Sequence, residues 1–145
     1  MKLDFSVIIN KAIKRIRSDI TSHVANSKQL NETGYTPNKK SVADRKGFNK
    51  RLVGKGKRFL RPSTYKITDA TASNQVGILS FARDKDAEIG KFNQTPTGSG
   101  AIAKADGVEF FGVSEKAEKD FNKDIDKYID KTVDREIESW GFKKV

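Results

Sequence analysis

The chain contains no cysteine and only one histidine, one tryptophan and one methionine in 145 residues. Without cysteine there are no disulfides and no thiolate metal sites. The lone histidine, His23, lacks the company that a metal centre or a Ser/His/Asp constellation needs. No G-x-S-x-G elbow accompanies it. Long apolar runs are also missing. Near the start the longest is Val7-Ile8-Ile9, too short for a signal-peptide core or a membrane span. The expectation is a protein made in, and first acting in, a cytoplasm, with no membrane contact, cofactor or small-molecule substrate.

Charge, in contrast, is plentiful. A third of the residues are charged, against 35% hydrophobic, and the formal net charge is +10. That balance is polar for a self-sufficient globule and suits a subunit that gains burial from neighbours. One domain of this length can bury a modest core. The charge is uneven: residues 37–61 hold ten Lys/Arg against Asp44 alone, a net +9, and residues 1–36 add +3. The remaining segments are neutral or net −1. A local excess of this size points to an anionic partner more strongly than a high isoelectric point does.

Periodicity divides the chain into five parts. Phe5, Ile9, Ala12, Ile13, Ile16, Ile20 and Val24 recur every three or four residues, which predicts an amphipathic helix over about 4–25. Residues 34–57 show almost no apolar period and hold Pro37 and four glycines, so they read as a long basic loop, with a short helix over 40–49 as an option. From 58 to 92 the pattern is β: Phe59-Leu60, then Tyr65 and Ile67, then Gln75–Ala82, then a shorter strand at Ala87–Phe92. Antiparallel pairing is expected for strands so closely spaced. Residues 93–106 are small and polar and predict a flexible loop, and Val108–Phe111 suggests a last strand. Ser114 is a good N-cap for a second long helix over about 114–140, with Ala117, Phe121, Ile125, Tyr128, Ile129, Val133, Ile137 and Trp140 as its stripe. The fold class is therefore α+β: long N- and C-terminal amphipathic helices packed on a small antiparallel sheet, with long basic and polar loops, in a single domain 1–145.

Candidate catalytic groups are weak. Gly47 to Gly54-Lys55 faintly resembles a phosphate loop, but the spacing is six residues rather than four and no Ser/Thr follows Lys55. No enzyme is expected. The basic stretch is the stronger candidate: Lys39, Lys40, Arg45, Lys46, Lys50, Arg51, Lys55, Lys57, Arg58 and Arg61 form a surface for phosphate or for an acidic protein face. No helix-turn-helix, zinc finger or RNA-binding aromatic pattern appears, so base-specific reading is not expected. The polar loop offers Thr95, Thr97, Gly98, Ser99 and Gly100 as an arm toward a neighbouring subunit.

The order of these features resembles the phage virion morphogenesis and tail-completion family, the small neck proteins of tailed phages. A helical start leads to a basic, Gly-containing stretch. Leu52-x-x-x-Gly56-x-x-Phe59/Leu60-x-x-Ser63 looks like the family's lead into its sheet. Gln75-Val76-Gly77 and Ala87-Glu88-Ile89-x-x-Phe92-Asn93-Gln94 look like its central signature. Phe110-Phe111-Gly112-Val113-Ser114 looks like the opening of its final helix. The resemblance spans residues 3–137. It departs at Val108-Glu109, where the family often has Arg-Pro, and at Lys55-Gly56, where it often has Thr-Gly, so tail-terminator, tail-completion and head–tail adaptor roles all stay open. It implies a non-catalytic virion subunit that forms a homo-oligomeric ring at the head–tail junction, assembled in the host cytoplasm. Its partners would be portal or adaptor and tail proteins, with transient contact to genomic DNA. The other reading open to the basic stretch 37–61 is a sequence-nonspecific nucleic-acid-binding protein.

Overall fold

A computed structural model describes residues 2–31, 52, 56–94 and 109–141. The first helix, α1 (Ser6–Ala25), is followed by two 3₁₀ turns (Arg58–Leu60 and Pro62–Thr64), strands β1 (Tyr65–Thr68) and β2 (Ile78–Phe81), and helices α2 (Asp84–Gln94) and α3 (Glu115–Ser139). The two strands pair antiparallel, Tyr65 opposite Phe81 and Ile67 opposite Leu79. The class is α+β, with a long helix toward each end of the chain.

The first helix forms where its stripe places it. Ile13, Ile20 and Val24 are buried, while Lys11, Lys14 and Arg15 face solvent. Asp4 accepts the Ser6 N–H at 2.9 Å, covering one of the donors that a helix start leaves open. The far end closes on a left-handed Ser27 (φ 55°). There Lys28 N–H reaches His23 O at 2.9 Å and Ser27 N–H reaches Val24 O at 3.3 Å, the double bond of a Schellman ending.

Ile20, Val24, Leu30, Leu52, Phe59, Tyr65 and Phe110 form the core, with Phe81 and Phe111 packed against it. Its centre is aromatic. Phe59 and Phe110 lie 4.8 Å apart by ring centroids, and Phe81 stacks on Phe111 at 4.5 Å, separations at which ring pairs attract beyond their buried area. The Tyr65 hydroxyl donates to Phe59 O at 2.8 Å. Burial, aided by the nearby Asp86 charge, pushes its phenol above the ordinary value.

The segment between the strands is tied to the start of α1 by side chains that replace backbone pairing. Gln75 accepts the Phe5 N–H at 2.9 Å and donates to Leu3 O at 3.2 Å. Asn10 donates to Ala70 O at 3.0 Å and accepts the Ala70 N–H at 2.7 Å. Gly77 lies so close to the helix that a Cβ there would sit 2.0 Å from Ile13 Cδ1. The Gln75-Val76-Gly77 triplet is thus the clasp between sheet and helix.

Several expected elements differ. Ala87–Phe92 is not a strand but lies within α2. Its alternation of Ala87 and Ile89 resembled a strand, yet the residues turned inward are Asp86, Ile89 and Gly90, at helical spacing. A Cβ on Gly90 would come within 2.7 Å of Phe81 Cζ, so the glycine serves helix–sheet packing. Phe59-Leu60 forms a 3₁₀ turn, because Thr64 Oγ1 donates to Arg58 O and curls the chain. Residues 109–111 are irregular rather than a strand, although Glu109 O accepts the Leu30 N–H at 2.9 Å. Asn93 and Gln94 belong to α2 rather than to the polar loop. The optional helix over 40–49, Val108, and residues 95–106 of that loop lie outside the described residues.

The C-terminal helix forms as expected but packs less deeply. Ser114 caps it, accepting the Ala117 N–H at 3.1 Å. It runs antiparallel to α1: Phe5 meets Tyr128 with rings 5.4 Å apart, Arg15 pairs with Asp124 at 3.0 Å, and Asp19 meets Ser114. None of its residues is fully buried. Phe121, Ile125, Ile129 and Val133 are half-buried, and Trp140, just beyond it, is 64% exposed. A stripe this long predicts burial in a core. Its packing is on α1, a partner that is itself a single helix and covers only part of the stripe.

Candidate functional site: an arginine cleft built on Asp86

Lys57, Arg58 and Arg61 of the basic stretch lie among the described residues, while Lys39, Lys40, Arg45, Lys46, Lys50, Arg51 and Lys55 lie outside them. So do Thr95, Thr97, Gly98, Ser99 and Gly100 of the expected arm. Lys57 is exposed and adopts a left-handed conformation (φ 51°) that starts the first 3₁₀ turn. That turn carries Arg58 inward, toward the first turn of α2.

There it meets Asp86, whose side chain is 0% exposed. Arg58 Nε lies 3.1 Å from Asp86 Oδ1. Arg83, three residues before Asp86, donates from Nε to Oδ2 at 3.0 Å and from Nη2 to Oδ1 at 3.3 Å. A carboxylate taken fully out of water is tolerated only when charge and hydrogen bonds surround it. Here Arg83 supplies both, and Arg58 adds a second positive charge. Among the described residues no buried side-chain nitrogen or oxygen lacks a partner.

Arg58, Arg61, Arg83, Ser63 and Thr64 line a cleft of about 380 Å³ beside Asp86. The Arg83 side chain is 71% exposed and that of Arg58 31%, so both reach the cleft from a buried anchor. Three cations against one anion leave two positive charges unbalanced. Arg83 and Asp86 escaped the sequence reading. They lie in a segment of net −1, and only their spacing of three, at the start of what proves to be a helix, marks them as a pair.

The lone histidine is placed elsewhere. His23 Nδ1 lies 2.8 Å from Asp19 O and 3.2 Å from Asp19 Oδ1. Both are acceptors, so Nδ1 carries the hydrogen. The other Asp19 oxygen accepts from Ser114 Oγ at 3.1 Å. The carboxylate thus stands between histidine and serine, whereas nucleophilic catalysis needs the histidine in the middle to take the serine proton. What this trio does is join the end of α1 to the cap of α3. Among the described residues no group of three or more His, Cys, Asp or Glu is placed to hold a metal ion, and none of the helices is long and apolar enough to cross a membrane.

No family model, curated protein or solved structure matches the chain.

Proposed function

We propose that this chain is a structural virion protein of a tailed phage: a non-enzymatic, ring-forming neck or tail-completion subunit that joins the portal side of the head to the tail. The observation that carries the reading is the far end of α3. Tyr128, whose hydroxyl accepts the Asp4 N–H at the start of α1, is followed by eleven further helical residues to Ser139, about 16 Å at the α-helical rise. Its stripe continues with it and ends on Ile137 and Trp140, which are 36% and 64% exposed. An apolar stripe that ends on exposed side chains suits a head-to-tail contact, the kind that closes a ring by rotation. The motif order from Leu52 to Ser114 supports the reading, and several of its residues serve the α+β body directly: Gln75 and Gly77 clasp the sheet to α1, and Ser114 caps α3.

The test is the mass of the purified chain in solution, by light scattering over a range of concentrations, with particles viewed by electron microscopy. A ring is expected, and Ile137→Ser with Trp140→Ser should return it to folded monomers with the same helix content and a midpoint that no longer depends on concentration. A wild type that stays monomeric at every concentration, with and without neck partners, would falsify the reading. The nucleic-acid reading is favoured by one observation of its own, the arginine cleft.

A further inference from the structure

We propose that the cleft formed by Arg58, Arg61 and Arg83 is a phosphate site, and that its ligand is the backbone of a nucleic-acid duplex. The free donors decide the chemistry. Arg58 lies against Asp86 through Nε, and its Nη groups have no hydrogen-bond partner among the described residues. Asp86 occupies Nε and Nη2 of Arg83 and leaves Nη1. Arg61 is exposed on the same cleft. A carboxylate accepts guanidinium forks in its own plane, and the cleft's own carboxylate, Asp86, already meets two guanidiniums. Three arginines line the one cleft, and together they offer more donors than a second carboxylate could take, which suits the oxygens of a phosphate. The two unbalanced positive charges of the cleft also exceed what one carboxylate neutralises.

The setting selects the source of the phosphate. The cleft lies at the end of a stretch that carries nine net positive charges in 25 residues. So cation-rich a sequence beside an anchored pocket fits a linear polyanion, whose successive phosphates each displace a counterion. Asp86 is the positioning residue. It touches no ligand, but without it Arg58 and Arg83 would repel each other.

The experiment is fluorescence anisotropy of a labelled 20-base-pair duplex against the full chain, as a function of salt. Arg61→Ala and Arg83→Ala should each weaken binding about three- to tenfold near 0.1 M salt, and each should reduce the salt slope by about one. Arg83→Lys keeps the charge but not the fork, and should fall between them. Lys127→Ala on α3 removes the same charge from an exposed residue elsewhere and should leave both quantities unchanged. Because Arg61 holds no buried partner, its variant reports on binding even where Arg83→Ala impairs folding, which the thermal midpoint reveals. Equal loss in Lys127→Ala and Arg61→Ala would reduce the cleft to general charge and overturn the proposal. So would poly-glutamate displacing the duplex with equal affinity and equal sensitivity to Arg61→Ala, since the cleft would then read carboxylates on an acidic protein face. The ring proposal stands or falls separately: cleft variants should leave the mass in solution unchanged, and the Ile137/Trp140 variant should leave the binding of a single subunit to the duplex unchanged.

Discussion

The two long helices carry nearly the same pattern and meet different fates. Each repeats apolar residues every three or four positions, with charges on the other faces. Yet α1 sinks Ile13, Ile20 and Val24 into the molecule, while α3 buries none of its residues. The difference lies in what covers them. The first helix lies against the two-stranded sheet, the 3₁₀ turns and α3, so its stripe is enclosed from several directions. The last rests on α1. An amphipathic stripe reports that a helix wants cover; it does not say how much of that cover the same chain provides.

The sharpest way to break this comparison is to truncate one residue from each stripe. Ile20 is 0% exposed and sits in the core cluster. Ile20→Ala should destabilise the protein by about 2–5 kcal/mol in denaturant unfolding. A loss below ~1 kcal/mol would show that the interior relaxes around the gap and that α1 is no better enclosed than α3.

The matching change on α3 is Phe121→Ala. A fully buried phenylalanine would cost about 3–5 kcal/mol. Phe121 is only half-buried, so about 2 kcal/mol is expected. A cost equal to that of Ile20→Ala would mean that α3 is enclosed in solution, as happens when subunits associate. Dependence of that cost on protein concentration would identify a neighbouring subunit as the cover.

A smaller effect is expected where the helices are joined by polar groups. Ser114 accepts the Ala117 N–H and donates to Asp19. Ser114→Ala removes the cap, worth about 1 kcal/mol, and leaves Asp19 with His23 as its remaining side-chain partner among the described residues. A loss of about 1–2 kcal/mol is expected. Ser114→Asp would restore the cap but set a second carboxylate against Asp19, so it should rescue only in part. Full rescue would show that the link to α1 contributes nothing.

These contrasts mark what the sequence could convey. Both long helices were legible within two residues at each end, because a stripe of five or more turns leaves no other period. The pairing of the Tyr65 and Ile78 strands followed from alternation over short runs. The second helix was not legible. Its eleven residues hold few apolar side chains, and Ala87-x-Ile89 fits a strand as readily as a helix. What fixes it is tertiary: Gly90 against Phe81, and Asp86 drawn inward by Arg58. The cleft was half legible. A run of cations is visible to the eye, so Arg58 and Arg61 were marked. Arg83 and Asp86 are ordinary charged residues until the chain folds back 25 positions to bring Arg83 beside Arg58.

The smallest expected effect concerns the start of α1, where a carboxylate adds charge to the hydrogen bonds and ring contact that hold it. Hydrogen bonds from the Ser6 N–H and hydroxyl, with a lesser pull from Lys2, hold the Asp4 carboxyl below its ordinary value of 3.8. Its negative charge also faces the positive end of the helix dipole. A carboxylate whose folded value is depressed stabilises the protein above the unfolded value, and the contribution is lost as pH falls through the folded one. The wild type should therefore exceed Asp4→Asn in thermal midpoint at neutral pH. The gap should start to close as pH drops toward 3.8 and vanish below it. Because Asp4 is only half-buried, the gap should be small and should shrink in high salt. The amide of asparagine can accept the same Ser6 N–H, so the comparison isolates the charge. A gap that persists unchanged at pH ~2.5, or that ignores salt, would show that Asp4 acts through hydrogen-bond geometry alone. The ends of both long helices would then be held in the same way, by capping rather than by charge.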